Sequence, residues 1–392
     1  MDEKRVQTYL NLINQLLTYP NQKEEILRQN KELLDNGFLQ TATYFAQMLQ
    51  EKGKEQPAGF LYNLIHQLFV VNVTQNKQED YIDFLLKILP AIRNGATQEQ
   101  IYLLFHQNLD KLNLQSAQTL RIWANKTFPT LKPEQQQGIG YDIYKYNVLI
   151  QKFPLGNRAG NLEIAITGYE ILLSIFTQKD FPENWARIQN SLGAAYRERI
   201  KGNKVDNLEI AITSYERALI IYTQKDFPVD WADTQNNLGN AYISRIKGDK
   251  ADNLETAIAC YERALIIHTQ QDFPAYWATT QHNLGNAYSD RIKGDKADNL
   301  ETAISSFERA LIIRTQQDFP YNWATTQNNL GNVYSARIKG DKANNLETAI
   351  ACYKRALIIH TQQDFPYDWA TTQNNLGNVY SARIKGNKAD NL

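Results

Sequence analysis

Two cysteines and five histidines are the side chains of this 392-residue chain that could supply a nucleophile, a general base or a soft metal ligand. Cys260 stands eight residues before His268, and Cys352 eight before His360. A thiol beside an imidazole makes a nucleophile–base pair or half of a zinc site. On one helix, however, eight residues set the two groups about 12 Å apart, beyond the reach of one proton or one ion. The two thiols fall on stacked helices roughly 20 Å apart, too far for a disulfide. His66 and His106 lie in amphipathic stretches with no cysteine or second histidine near them. KGDK recurs without the strand and leading glycine of a phosphate loop, and reads as a solvated turn. No enzyme, cofactor or metal site is expected within these residues.

The remaining polar side chains recur with a period. Tryptophans stand at 185, 231, 277, 323 and 369, each 46 residues after the last, and the blocks opening at Trp277 and Trp323 agree at 36 of 46 positions. Such a repeat packs each unit on its neighbours alone and builds a solenoid. Within one unit the apolar spacing predicts two helices. The first runs from Pro320 to Lys339, with the proline in the first turn and Gly340 just past the end. The second opens after DKAN. Asp206 with Glu209, Asp252 with Glu255, Asp298 with Glu301 and Asn344 with Glu347 have capping-box spacing. The tryptophans are expected between successive hairpins, with Phe227, Phe273 and Phe319 stapling the turn into each first helix. Arg199, Arg245, Arg291, Arg337 and Arg383 recur at the end of the first helix. They are expected to pair with Glu209, Glu255, Glu301 and Glu347 of the following helix, or to bind the last carbonyls of their own. His268 and His360 share a position with Tyr222 and Arg314. A place that accepts all three side chains reads as half-exposed surface.

Leu330, Gly331 and Tyr334, then Ala349, Tyr353 and Ala356, then Pro366, resemble the tetratricopeptide pattern. The resemblance runs from about residue 139 to the end. It implies an all-α fold, a right-handed α-solenoid of helical hairpins. The unit departs from the family in being 12 residues longer than the usual 34, and Gln327 takes the usual tryptophan position. Long units that begin N-N-L-G are similar to the kinesin light chain type. In such arrays the first helices line the concave groove. The resemblance therefore places Asn236 and Asn240, His282 and Asn286, Asn328 and Asn332, and Asn374 and Asn378 on that surface. Asparagine is a poor helix former, and its amide both donates and accepts, which suits the backbone of an extended peptide. Asn237, Asn283, Asn329 and Asn375, one position round the helix, are expected to bond between units instead.

The expected organisation is a helical N-terminal region over 1–134, a degenerate first repeat over 135–184, four repeats over 185–368, and the first helix of a truncated fifth over 369–392. Amphipathic stretches in the N-terminal region fall at 3–18, 22–34, 38–52, 57–73, 78–92, 97–111 and 115–127. Asn36–Gly37, Gly53 and Pro90 read as breaks between them. Wording around EILRQNKELLDNGFLQ resembles bacterial proteins in which a tetratricopeptide array precedes a caspase-like protease domain of the CHAT type. That resemblance implies an in-cis effector domain beyond Leu392. Acidic and basic residues balance at 42 each, which gives no reason to expect nucleic acid or an anionic membrane as partner. With no apolar run long enough to span a bilayer, a cytoplasmic protein is expected. The reading that follows is a non-catalytic protein- or peptide-binding scaffold. Its alternatives are the regulatory arm of such a protease, or a self-assembling solenoid.

Overall fold

A computed structural model describes residues 3–383, and every regular element among them is helical. The chain divides into two compact units, Met1–Thr130 and Leu131–Leu392. The first contains α1 (Glu3–Thr18), α2 (Lys23–Gln29), α3 (Asn36–Glu51), α4 (Glu55–Arg93), α5 (Gln98–His106) and α6 (Leu114–Thr127). Its core packs Leu12, Ile13 and Leu16 of α1 against Phe38 and Ala42 of α3 and Leu61 of α4. Asp35 caps α3 through the Phe38 N–H and accepts hydrogen bonds from Tyr9 and Arg5 of α1.

Of the expected breaks, the one at Asn36–Gly37 falls just before those residues, and the one at Pro90 is absent. Asn36–Gly37 opens α3, and Pro90 lies inside the last turn of α4. The stretches at 57–73 and 78–92 form one 39-residue helix, because the polar link between them contains neither glycine nor proline. The turn that ends α4 is instead at Gly95, whose φ of +82° suits only glycine. The side chain of His66 and the expected helix opening at Asn391–Leu392 lie outside the described residues.

The second unit is a series of antiparallel hairpins. First helices are α7 (Pro133–Lys152), α9 (Pro182–Glu198), α11 (Pro228–Ser244), α13 (Pro274–Asp290), α15 (Pro320–Ala336) and α17 (Pro366–Ser381). Second helices are α8 (Arg158–Leu172), α10 (Lys204–Ile221), α12 (Lys250–Ile267), α14 (Lys296–Ile313) and α16 (Lys342–Ala356). Each first helix packs on the second helix that follows it and on the one before, so the core is a row of small clusters. Proline opens every first helix, and from α9 onward it stands behind a phenylalanine N-cap. Before that phenylalanine, a threonine hydroxyl and an aspartate close the turn, as in Thr223 with Asp226 at 2.7 Å.

The N-caps lie one turn before the expected capping boxes. The caps are Asn203, Asp249, Asp295 and Asp341, whose side chains accept from the backbone three residues on. Each second helix therefore starts earlier than its acidic pattern suggests, and Glu209, Glu255, Glu301 and Glu347 are released to pair with arginine. The arginines take their carboxylate from the preceding second helix, not the following one. Arg291 grips Glu255 through two bonds of 2.8 and 2.7 Å, lies over the Tyr288 ring, and donates to Asn299 Oδ1. Arg199 does the same with Glu163, and Arg245, Arg337 and Arg383 take Glu209, Glu301 and Glu347. Each pair thus ties one hairpin to the next. The tryptophans are half-buried, flanking Ala186, Ala218 and Tyr222 in the cluster at Trp185 and Trp231. The closest packing belongs to glycine. A Cβ on Gly193, Gly239, Gly285 or Gly331 would stand 2.6–2.9 Å from the aromatic ring of its second helix.

Tyr222, His268, Arg314 and His360 are buried, against the expectation of a half-exposed position. Each ends its second helix between the first helix of its own hairpin and that of the next. For the two histidines and the arginine the next first helix offers a threonine hydroxyl. His268 Nδ1 lies 3.3 Å from Thr280 Oγ1, Arg314 donates to Thr326 Oγ1 at 3.0 Å, and His360 Nδ1 lies 3.2 Å from Thr372 Oγ1. Cys260 and Cys352 are buried free thiols, pushed up to about 11 by desolvation. His106 is exposed on α5.

Candidate functional site

The first helices share one polar face, and on it the amides form a ladder between hairpins. Asn237 donates to Asn190 at 3.4 Å, Asn283 to Asn236 at 3.1 Å, and Asn375 to Asn328 at 3.3 Å. Tyr144 and Ser191 continue it to α7 at 3.2 Å. The two partners of each of these rungs are 47 residues apart, one unit plus one position. Each rung uses the Oδ1 of Asn190, Asn236 or Asn328 and one N–H of its partner. The amide N–H groups of Asn190 and Asn236 and the side-chain oxygens of Asn237, Asn283 and Asn375 take no further hydrogen bond among the described residues.

The rung at α13 differs because His282 occupies the acceptor position. His282 is 8% exposed and turned inward, its ring edge-on to Phe307 at 5.4 Å. Thr326 Oγ1 donates to the Asn322 carbonyl, so its lone pairs receive His282 Nδ1–H at 3.0 Å and Arg314 at 3.0 Å. Asn329 therefore reaches one turn further along α13, to Asn286 at 2.9 Å. Burial, with Arg314 nearby, lowers His282 to about 3. A neutral, enclosed imidazole offers a ligand little surface, so His282 departs from the groove-facing expectation.

Asn240 and Asn332 accept the hydroxyls of Tyr261 and Tyr353 at 2.8 and 2.7 Å. Asn286, opposite Phe307, has no such hydroxyl to accept, and its oxygen serves the ladder. Asn374 and Asn378 are exposed on α17. Thus Asn236, Asn240, Asn286, Asn328 and Asn332 bond within the array while edging its face.

Tyr215 is the counterpart of Tyr261, but Ala194 stands where Asn240 would be, and its buried hydroxyl has no hydrogen-bond partner. An unpaired buried hydroxyl costs free energy that removing it restores. Tyr215→Phe is expected to leave stability unchanged or raise it by up to about 1 kcal/mol, whereas Tyr261→Phe costs about 1 kcal/mol. Urea unfolding of the two variants checks the opposite signs.

The face deepens at its N-terminal end into a concavity of about 780 Å³. Tyr144, Val148, Gln151 and Lys152 of α7, Asn190, Ala194, Arg197 and Glu198 of α9, Arg158 of α8 and Asn237 of α11 line it. Arg158 binds the Gln151 carbonyl and the Glu198 carboxylate, and Arg197 lies 3.6 Å from that same carboxylate. With Lys152, three cations face one anion. Asn190 and Ser191 stand 46 residues before Asn236 and Asn237, so the period alone reaches them. Arg158 has no such signal, because it lies in the degenerate unit. Among the described residues no group of three His, Cys, Asp or Glu side chains could hold a metal ion, and no helix is long and apolar enough to cross a membrane.

Residues 231–268 and 323–360, the hairpins α11–α12 and α15–α16, match the family profile described as tetratricopeptide repeat. No curated protein sequence matches the chain. Among solved structures it is similar to BtubC (BKLC) from P. vanneervenii, at 18% identity over 73% of this chain and 92% of that one, with a TM-score of 0.39. The TPR domain of P58(IPK) aligns at 14% identity over 95% of this chain and 98% of that one, with a TM-score of 0.26. A circular tandem repeat protein of novel repeat topology aligns at 13% identity over 96% and 90%, also at 0.26.

Proposed function

We propose that this chain is a protein-binding scaffold that holds an extended peptide segment along the first-helix face of α7 to α17. Tetratricopeptide repeats generally serve as protein-interaction scaffolds, and solenoids present long surfaces suited to that use. The observation that carries the reading is the amide ladder. Its rungs consume one side of each asparagine and leave donors and acceptors along a single face, and that face runs into the concavity at α7, α9 and α11. A peptide backbone needs this alternation of donors and acceptors. The cations of the concavity favour an acidic group at that end of the ligand. Each amide bond adds about 0.5–1.5 kcal/mol net, so four to six of them supply at most about 9 kcal/mol before ordering costs, which makes roughly micromolar the tightest affinity the amides alone give.

Selection of a random-peptide library on the immobilised chain tests this, followed by titration of the selected peptides. Lys152→Ala with Asn190→Ala is expected to weaken them at least about tenfold, the equivalent of 1.4 kcal/mol. Asn374→Ala with Asn378→Ala removes exposed amides of α17, and should weaken peptides long enough to reach that helix. A library that yields no binder, or binders indifferent to both variants, would reject the groove.

A further inference from the structure

Two exposed isoleucines recur in each hairpin from α9 onward, one in the turn after the first helix and one near the end of the second. Ile200, Ile246, Ile292 and Ile338 follow the arginine that ends α9, α11, α13 and α15, and are 61, 61, 58 and 61% exposed. Other groups fix the turn that carries them. Asn253 Nδ2 holds the Lys247 carbonyl at 3.0 Å, Arg245 holds Glu209, and Gly248 takes the positive φ. A β-branched residue in this turn adds nothing to its geometry.

The same edge carries both signs of charge. Lys247, Asp249, Lys250 and Asp252 surround Ile246 and are all exposed. Lys293 reaches Asp252 of the preceding unit at 2.6 Å, and Lys339 reaches Asp298 at 2.6 Å. Lysines on this edge are therefore long enough to meet an aspartate one repeat away.

We infer that this edge is a lateral contact between two copies of the chain. A partner must match the pitch of the array to engage four isoleucines at once, and a second copy carries the same pitch. Two-fold pairing of antiparallel edges sets the lysines of one copy against the aspartates of the other. A balanced edge gives no net pull toward an anionic lipid surface or a nucleic acid. The four isoleucines together expose roughly 400 Å², as separate anchors spaced one per repeat among charged side chains. That is about half of the ~800 Å² each partner contributes to a stable interface, and the lysine stems and turn backbone make up the remainder.

Sedimentation equilibrium of the whole chain, from low to high micromolar concentration, tests this. A monomer–dimer equilibrium is expected. Ile200→Asp, Ile246→Asp, Ile292→Asp and Ile338→Asp together should raise its Kd at least tenfold with unchanged helical circular dichroism. If that variant loses helicity, Ile292→Asp alone is read instead and must raise Kd several-fold. The matching change at Ile220, Ile266, Ile312 and Ile358, exposed near the ends of the second helices, should leave the dimer intact. A wild-type chain that stays monomeric throughout overturns the inference. So does equal dissociation by both sets of substitutions, or a monomer that floats with phosphatidylserine vesicles through the same isoleucines.

Discussion

Gly239→Val is expected to lower the unfolding free energy by about 3 kcal/mol, and Gly377→Ala to raise it by about 1 kcal/mol. The two glycines hold the same place in α11 and α17. A helical glycine replaced by alanine gains about 1 kcal/mol, chiefly because the unfolded chain loses freedom. At Gly377 nothing lies within 4 Å of an added Cβ, so that gain is realised. At Gly239 the Cβ would stand 2.6 Å from the Tyr261 ring. That ring is buried and tethered by its hydroxyl to Asn240, so it has nowhere to turn. Overpacking of this kind costs about 1–3 kcal/mol, and valine adds two methyl groups and a restricted χ1. Denaturant unfolding measures the sign of each change. Hydrogen exchange should place the Gly239→Val loss first in α11 and α12, since a nearest-neighbour array loosens locally. A common sign for both substitutions would mean that the glycines are not ring sockets.

His282→Asn should make the protein more acid-resistant, by on the order of 2 kcal/mol at pH 4.5. The folded imidazole is held at about 3, mainly by burial, whereas unfolded histidine titrates near its ordinary value of 6.5. The unfolded chain therefore binds more protons between these values, and stability falls as pH drops from about 6.5 toward 3. Each pH unit in that window is worth about 1.4 kcal/mol for a fully protected group. His360 is also lowered by burial and adds a loss of the same sign in wild type and variant alike. The Arg291–Glu255 pair does not confuse the comparison. Hydrogen bonding from Arg291 holds that carboxyl below its usual 4.5, so its contribution fades as pH falls through and below that value, equally in wild type and variant. Asparagine fits the position, because Asn236 and Asn328 occupy it in α11 and α15. At pH 7.5 the two proteins should differ by less than about 1 kcal/mol. Equal acid sensitivity of wild type and His282→Asn would show that the imidazole is not enclosed.

The sequence by itself determined the hairpin, its period and the identity of its polar face. Proline before each first helix, small and apolar residues at helical spacing, and a 46-residue recurrence are local signals, and local signals survive without tertiary knowledge. It also singled out the arginines as structural and Asn237 and its equivalents as bonds between units. Tertiary structure decided which partner each side chain takes. Arg291 turns back to Glu255 because the second helix starts a turn before its acidic pattern, and no spacing within one unit reveals a contact with the unit before. Tyr222, His268, Arg314 and His360 read as surface because they vary. They are buried because the next first helix closes over them with a threonine. The same closure folds His282 inward and moves the Asn329 rung to Asn286. A one-dimensional repeat predicts its own unit well, and it is at the joints, where two units share each atom's surroundings, that packing has the deciding part.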